Sequence, residues 1–159
     1  MKREKSAPAA ADCSGRRFAI VAARFYDDLA EMLVDGAKRA LRECRVEEDN
    51  VAVFDVPGCF ELPLACRNLI ASSRFDALVA LGVVVRGETP HFEYVAGECA
   101  RGLMDVQLAT GRPIGFGVLT TETLAQARER AAPDGGDKGY AAALAAASLL
   151  TAIPARTAT

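Results

Sequence analysis

Ala77-Leu78-Val79-Ala80-Leu81-Gly82-Val83-Val84-Val85, followed at once by Arg86-Gly87-Glu88-Thr89-Pro90-His91, is the stretch on which the fold turns. Its first nine residues carry no polar side chain, so they cannot offer one face to a core and the other to water. That is the pattern of a central parallel strand covered by helices on both sides. The polar run that follows ends the strand: Gly87 permits a turn, Thr89 is a candidate N-cap, and Pro90 suits a first helical position. Beyond it Phe92, Val95, Ala96, Cys99, Leu103 and Val106 recur on one side of a helix.

The same alternation extends in both directions. Upstream, Phe18-Ala19-Ile20-Val21-Ala22-Ala23 is a short buried strand, and Leu29, Leu33, Ala37, Ala40, Leu41 and Cys44 mark an amphipathic helix over about 26–44. Val51-Ala52-Val53-Phe54 is a strand closed by the pair Pro57-Gly58, and a helix is expected over about 60–72. Downstream, Ile114-Gly115-Phe116-Gly117-Val118-Leu119 is a fourth strand, and Thr123-Leu124-Ala125-Gln126 matches a capping box opening a helix to about Arg130. The loop Pro133-Asp134-Gly135-Gly136-Asp137 leads to an Ala-rich helix over 138–150. Residues 1–15 read as a flexible arm, 16–153 as one domain, and 154–159 as a tail. Strands alternating with helices at this spacing define an α/β fold with a parallel sheet.

Composition narrows the functional classes. With 159 residues the chain fits one domain, and 51% hydrophobic against 25% charged residues excludes disorder for most of it. Nineteen basic and 21 acidic residues give a net charge of -2, with no basic stripe, which argues against nucleic-acid binding. No apolar run approaches the roughly 18 residues needed to span a bilayer. The five cysteines have irregular spacing without a C-x-x-C pair, and His91 is the only histidine, so no metal site is expected. The first residues carry charge without an apolar segment behind it, so no secretory signal is expected and reduced thiols in a cytoplasmic setting are.

In parallel α/β folds ligands bind beyond the carboxyl ends of the strands. After the third strand, Glu88-Thr89-Pro90-His91 opens a helix whose free N–H groups suit a phosphate, and the His91 imidazole there can accept a proton. A lone histidine often only caps or packs, and spacing alone leaves the two readings even. After the second strand, Cys59-Phe60-Glu61 reaches another helix start, where Glu61 is also explained by the dipole and Phe60 by the core. After the first strand, general burial preference places Phe25 in the core rather than on a ligand. Arg128, Arg130 and Lys138 flank the Gly-rich loop and default to solvated charge, and Cys59 and Cys66 lack a neighbouring base.

The ordered strings Arg24-Phe25-Tyr26, Val56-Pro57-Gly58-Cys59-Phe60-Glu61-Leu62-Pro63, Leu81 through Val95, Phe116 through Thr123, Gln126 through Ala131 and Asp137-Lys138-Gly139 resemble the lumazine synthases over about residues 16–150. The resemblance implies a flavodoxin-like three-layer sandwich with a four-stranded parallel sheet. It implies condensation of 5-amino-6-(D-ribitylamino)uracil with 3,4-dihydroxy-2-butanone 4-phosphate to 6,7-dimethyl-8-ribityllumazine, phosphate and water, the penultimate step of riboflavin synthesis. Phe25 would stack on the pyrimidine. Cys59, Phe60 and Glu61 would line the ribityl chain, and Val83, Val84 and Val85 would contact the heterocycle. Glu88 and Thr89 would bind phosphate and His91 would move protons. Phe116 and Arg130 would come from a neighbouring subunit, Arg130 onto the phosphate with Lys138 close by.

The same resemblance implies no metal or redox cofactor, a homo-oligomer of at least a pentamer, and riboflavin synthase as a candidate partner. Two features depart from it. Cys59 stands where the family commonly has alanine or serine, and the loop 131–137 lacks the string found in many shell-forming members. The rivals are a non-catalytic flavin or lumazine binder on the same fold and a shell protein selected for assembly. A flavodoxin-like electron carrier would want a Ser/Thr-rich loop after the first strand, and Arg24-Phe25-Tyr26-Asp27 is not one.

Overall fold

The computed structural model describes residues 10–153, so residues 1–9 of the expected arm and the expected tail 154–159 lie outside it. Four strands, β1 (Phe18–Ala23), β2 (Val51–Val56), β3 (Ala77–Val85) and β4 (Ile114–Thr121), pair in the order β2-β1-β3-β4 with every ladder parallel. All of β1 is buried, as are the first seven residues of β3, so the two central strands are the continuous apolar runs. Five helices connect and cover the sheet: α1 (Asp27–Glu43), α2 (Leu62–Ala71), α3 (His91–Thr110), α4 (Leu124–Ala131) and α5 (Lys138–Ala152). Leu29, Leu33, Val34 and Leu41 of α1 pack with Ala143, Leu144 and Ala147 of α5 on one face. Leu62 and Cys66 of α2 pack with Cys99 and Leu103 of α3 on the other. The result is a three-layer α/β sandwich, as the sequence pattern requires.

Helix ends follow local chemistry. Asp27 and Asp28 occupy the first turn of α1 and Arg42 the last, each favoured by the helix dipole. Thr123 closes a full capping box: its Oγ1 accepts from the Gln126 N–H at 3.2 Å, and Gln126 Oε1 accepts from the Thr123 N–H at 3.4 Å. Gly111, in the left-handed region at φ 69°, stops α3.

Several boundaries differ from expectation. The segment expected to be helical over 60–72 begins as a 3-10 turn, Cys59–Glu61, and only then becomes α2. Pro63 tolerates only a first turn, so it falls just inside the regular helix. Pro90 is the N-cap rather than the first helical residue, and α3 starts at His91. Strands β2 and β4 each run two residues past their apolar stretches. Asp55 and Val56 pair with Ala22 and Ala23, and Thr120 and Thr121 pair with Val84 and Val85. There the ladder supplies hydrogen bonds that side-chain polarity hides. Cys13, within the stretch 1–15, is fully buried, and its backbone N–H donates to the Cys44 carbonyl at 2.8 Å. Among the described residues no helix is long and apolar enough to cross a membrane.

The α1–α5 crossing depends on the absence of a side chain at Gly139, where a Cβ would lie 2.0 Å from the Leu33 carbonyl oxygen. That neighbour is backbone and cannot rotate away. Gly139→Ala is therefore expected to destabilise the protein by about 1–3 kcal/mol through overpacking. Thermal unfolding checks this, and an unchanged Tm would show that the two helices can separate freely.

Candidate active site

In the order β2-β1-β3-β4 the chain leaves β1 in one direction and returns to β3 on the other side. The crevice beyond the carboxyl ends of β1 and β3 is thus the switch point where ligands bind in open α/β sheets. A cleft of about 600 Å³ lies there. It is lined by Phe25 and Tyr26 after β1, Gly58, Cys59, Phe60 and Glu61 after β2, Val83, Val84 and Val85 at the end of β3, and His91, Tyr94 and Val95 on α3.

Each wall has a local cause. Arg24 anchors the first: its backbone N–H donates to the Val56 carbonyl at 2.9 Å, its Nε to Asp55 Oδ1 at 2.8 Å and its Nη1 to Glu31 Oε2 at 2.7 Å. Those carboxylates hold the guanidinium more firmly protonated than an isolated arginine. So braced, the next residue projects outward: Phe25 is 73% exposed, edge-on to Tyr26 with ring centroids 5.0 Å apart. General burial preference fails at Phe25, and again at Phe60, which is 61% exposed at the cleft rather than in the core. Two aromatic faces left open on one rim form a platform for a flat, apolar-faced ring.

The second wall rests on Gly82. A Cβ there would sit 2.5 Å from Cys59 Sγ, so only glycine lets the thiol lie against β3. Burial pushes the Cys59 thiol up to about 12. It stays protonated near neutrality and is no nucleophile. Glu61 folds over the Pro57-Gly58 turn, with its Oε2 3.2 Å from where a Gly58 Cβ would stand. Cys59→Ala is expected to leave activity within about threefold, because a neutral, inert thiol of this kind performs no chemistry. Steady-state kinetics checks it; a loss above tenfold would give the sulfur a direct role.

The third wall is the start of α3. Tyr94 and Val95 stand three and four residues after His91 and so share its helix face. Together with Tyr26 and Gly58 they are cleft residues to which the sequence reading gave no ligand role; for Tyr94 and Val95 the i, i+3, i+4 spacing from His91 was the available signal. Before His91 comes the loop Gly87-Glu88-Thr89-Pro90, which is exposed throughout. Thr89 Oγ1 accepts from the His91 N–H at 3.4 Å, a long contact in place of a full N-cap.

Eight of the expected site residues thus converge: Phe25, Cys59, Phe60, Glu61, Val83, Val84, Val85 and His91. Glu88 and Thr89 stand on the loop beside them. Phe116, Arg130 and Lys138 do not line the cleft. Phe116 is 50% exposed on β4, an edge strand, and Arg130 stands in the last turn of α4 with its Nη1 donating to the Gln126 carbonyl at 3.1 Å. Lys138 opens α5, after a loop that folds back through the Gly136 N–H onto the Glu129 carbonyl at 2.9 Å. Arg128, by contrast, is tied to Asp28 at 2.6 Å. Among the described residues no group of three His, Cys, Asp or Glu side chains could hold a metal ion.

A parallel sheet of this order, with an aromatic-rimmed cleft at its switch point and a helix N-terminus at the cleft edge, is that of a flavodoxin-like α/β protein. Comparison with known proteins narrows the class. The family model for 6,7-dimethyl-8-ribityllumazine synthase matches residues 15–153. The 6,7-dimethyl-8-ribityllumazine synthase of Syntrophus aciditrophicus (strain SB) is 47% identical over 136 residues, 86% of this chain and 88% of that protein. The synthase of the same name from Lawsonia intracellularis (strain PHE/MN1-00) is 46% identical over 134 residues, 84% of this chain and 85% of that one. The chain belongs to the 6,7-dimethyl-8-ribityllumazine synthase family.

Proposed function

We propose that the protein condenses 5-amino-6-(D-ribitylamino)uracil with 3,4-dihydroxy-2-butanone 4-phosphate to give 6,7-dimethyl-8-ribityllumazine, phosphate and water. The observation that carries this is the convergence of the aromatic platform, the β3 end and His91 on one cleft of about 600 Å³. A cleft of that size accommodates two small substrates side by side. The pyrimidine lies against Phe25, with its ribityl chain along Cys59, Phe60 and Glu61 and its ring edge on the backbone of Val83, Val84 and Val85. The phosphate of the second substrate sits on the N–H groups at Glu88 and Thr89, where the start of α3 favours an anion.

The chemistry follows from that placement. The pyrimidine amine adds to the ketone and water leaves as the imine forms. Loss of a proton then expels phosphate by β-elimination, and the ribitylamine nitrogen closes the ring with loss of a second water. His91, at the junction of the two subsites, moves the protons. The amine is already a nucleophile, so holding the partners together supplies much of the acceleration.

The site is completed by a neighbouring subunit that brings Phe116, Arg130 and Lys138. The half-exposed Phe116 on an unpaired strand edge and the open aromatic rim support this reading, since exposed apolar surface of this kind marks an interface. The assembly is a cyclic homo-oligomer of at least a pentamer, working in the cytoplasm, with riboflavin synthase as the partner that takes up the product. Mixing the two substrates with the protein tests the activity: lumazine absorbance and phosphate should appear in equal amounts. Binding of the pyrimidine without phosphate release would reduce the protein to a binder.

A further inference from the structure

Arg86 is absent from the residues assigned to substrate, and its side chain is already committed. Its Nε donates to Glu122 Oε2 at 2.8 Å, its Nη1 donates to Glu93 Oε1, and its guanidinium carbon lies 4.4 Å from the Phe92 ring centroid. Its backbone N–H donates to the Thr121 carbonyl at 2.9 Å. One residue at the end of β3 thereby grips the first turn of α3 and the β4–α4 turn together. Between Arg86 and that helical turn lie only Gly87, Glu88, Thr89 and Pro90, the proposed phosphate loop.

That loop has little packing of its own. All four residues are exposed, and a Cβ on Gly87 would meet nothing within 4 Å. Its position must therefore be set at its ends. Arg86 is 39% exposed and its carboxylate partners more so, and ion pairs in that setting contribute little to stability. What two carboxylates and a ring face do define is a direction, because the guanidinium offers its donors in a rigid planar fork. One cation shared by two carboxylates also leaves the cluster net negative, which makes it a poor phosphate ligand. The same contact with Arg86 holds the Glu93 carboxyl below its usual range.

We infer that Arg86 is a positioning residue that holds the Gly87–Pro90 loop and the His91 turn in register with the cleft, rather than a ligand of the phosphate. The inference rests on the proposed function for the roles of that loop and of His91. Since a misplacement of about 1 Å can cost roughly 10²-fold in rate, partial release of the loop should cost about tenfold.

The test compares Arg86→Met, Arg86→Lys, Glu93→Gln and the double variant Arg86→Met/Glu93→Gln in the assembled protein, by steady-state kinetics and by amide hydrogen exchange over residues 87–92. Arg86→Met and Glu93→Gln should each lower kcat about tenfold and raise KM for the butanone phosphate. The double variant should be no worse than Arg86→Met, because both changes break one unit. Arg86→Lys should recover part of the loss, and exchange should quicken locally in Arg86→Met. Electrostatics alone predicts the opposite sign for Glu93→Gln, since removing a negative charge near the anion tightens its binding. If Glu93→Gln lowers that KM while Arg86→Met raises it, Arg86 is a phosphate ligand and the inference is overturned. Wild-type exchange rates over 87–92 in Arg86→Met would overturn it too. That arm requires no turnover, so failure of the wild-type protein to release phosphate sinks the proposed function separately.

Discussion

Replacing His91 with alanine is expected to lower kcat by about 10²-fold, or less, and to leave both KM values nearly unchanged. A positioned general acid–base typically contributes about 10²–10⁴-fold, and the lower end applies because the attacking amine needs no activation. Orientation does the rest, and the cleft that provides it is built mainly from residues other than His91: Phe25, Phe60 and the β3 end remain in place when the imidazole is gone. The imidazole opens α3 as an exposed side chain, so its loss should not disturb the core. Single-turnover kinetics on the assembled variant checks the outcome. Complete loss of activity would contradict the share given to proximity, and an unchanged rate would remove His91 from the mechanism.

Arg130→Ala should act on the other substrate. A charge-assisted contact to phosphate corresponds to about 10- to 150-fold in affinity, so KM for the butanone phosphate should rise by that factor while KM for the pyrimidine moves far less. Equal weakening of both would make Arg130 structural. Because Arg130 lies outside its own chain's cleft, this residue also reports on site sharing. His91→Ala and Arg130→Ala chains, each impaired alone, should regain activity when refolded together. A site is intact only where an Arg130→Ala subunit supplies His91 and its neighbour, a His91→Ala subunit, supplies Arg130. With equal random mixing around a closed ring, about a quarter of sites meet both conditions. Mixing preassembled rings that do not exchange subunits should restore nothing. A refolded mixture no more active than the average of its parents would mean that each site is built within one chain.

Much of this was legible before any coordinates, for identifiable reasons. The unbroken apolar runs of β1 and β3 exist because helices cover both sheet faces, and that requirement writes itself into composition. The capping box at Thr123 is a local signal, and α4 begins where that residue stands. Polar residues that extend a strand carry no such mark. Asp55 and Thr120 are strand residues only because β1 and β3 lie alongside to take their hydrogen bonds.

The site divides along the same line. His91 at a helix start, Glu61 near another and the family strings could be read in the chain because each depends on neighbours a few residues away. The sequence by itself thus determined the α/β class, the alternation of strands and helices, and the family. Only the tertiary structure decided the strand order, which places the crevice between β1 and β3 and leaves β4 with Phe116 at an open edge. It alone turned Phe25 and Phe60 outward against their usual preference, buried the Cys59 thiol on Gly82, and joined Arg86 to Glu122 across 36 residues. The physical reason is the same in each case. Hydrophobic periodicity reports which face of an element is covered, whereas these features depend on which distant segment covers it and from what direction.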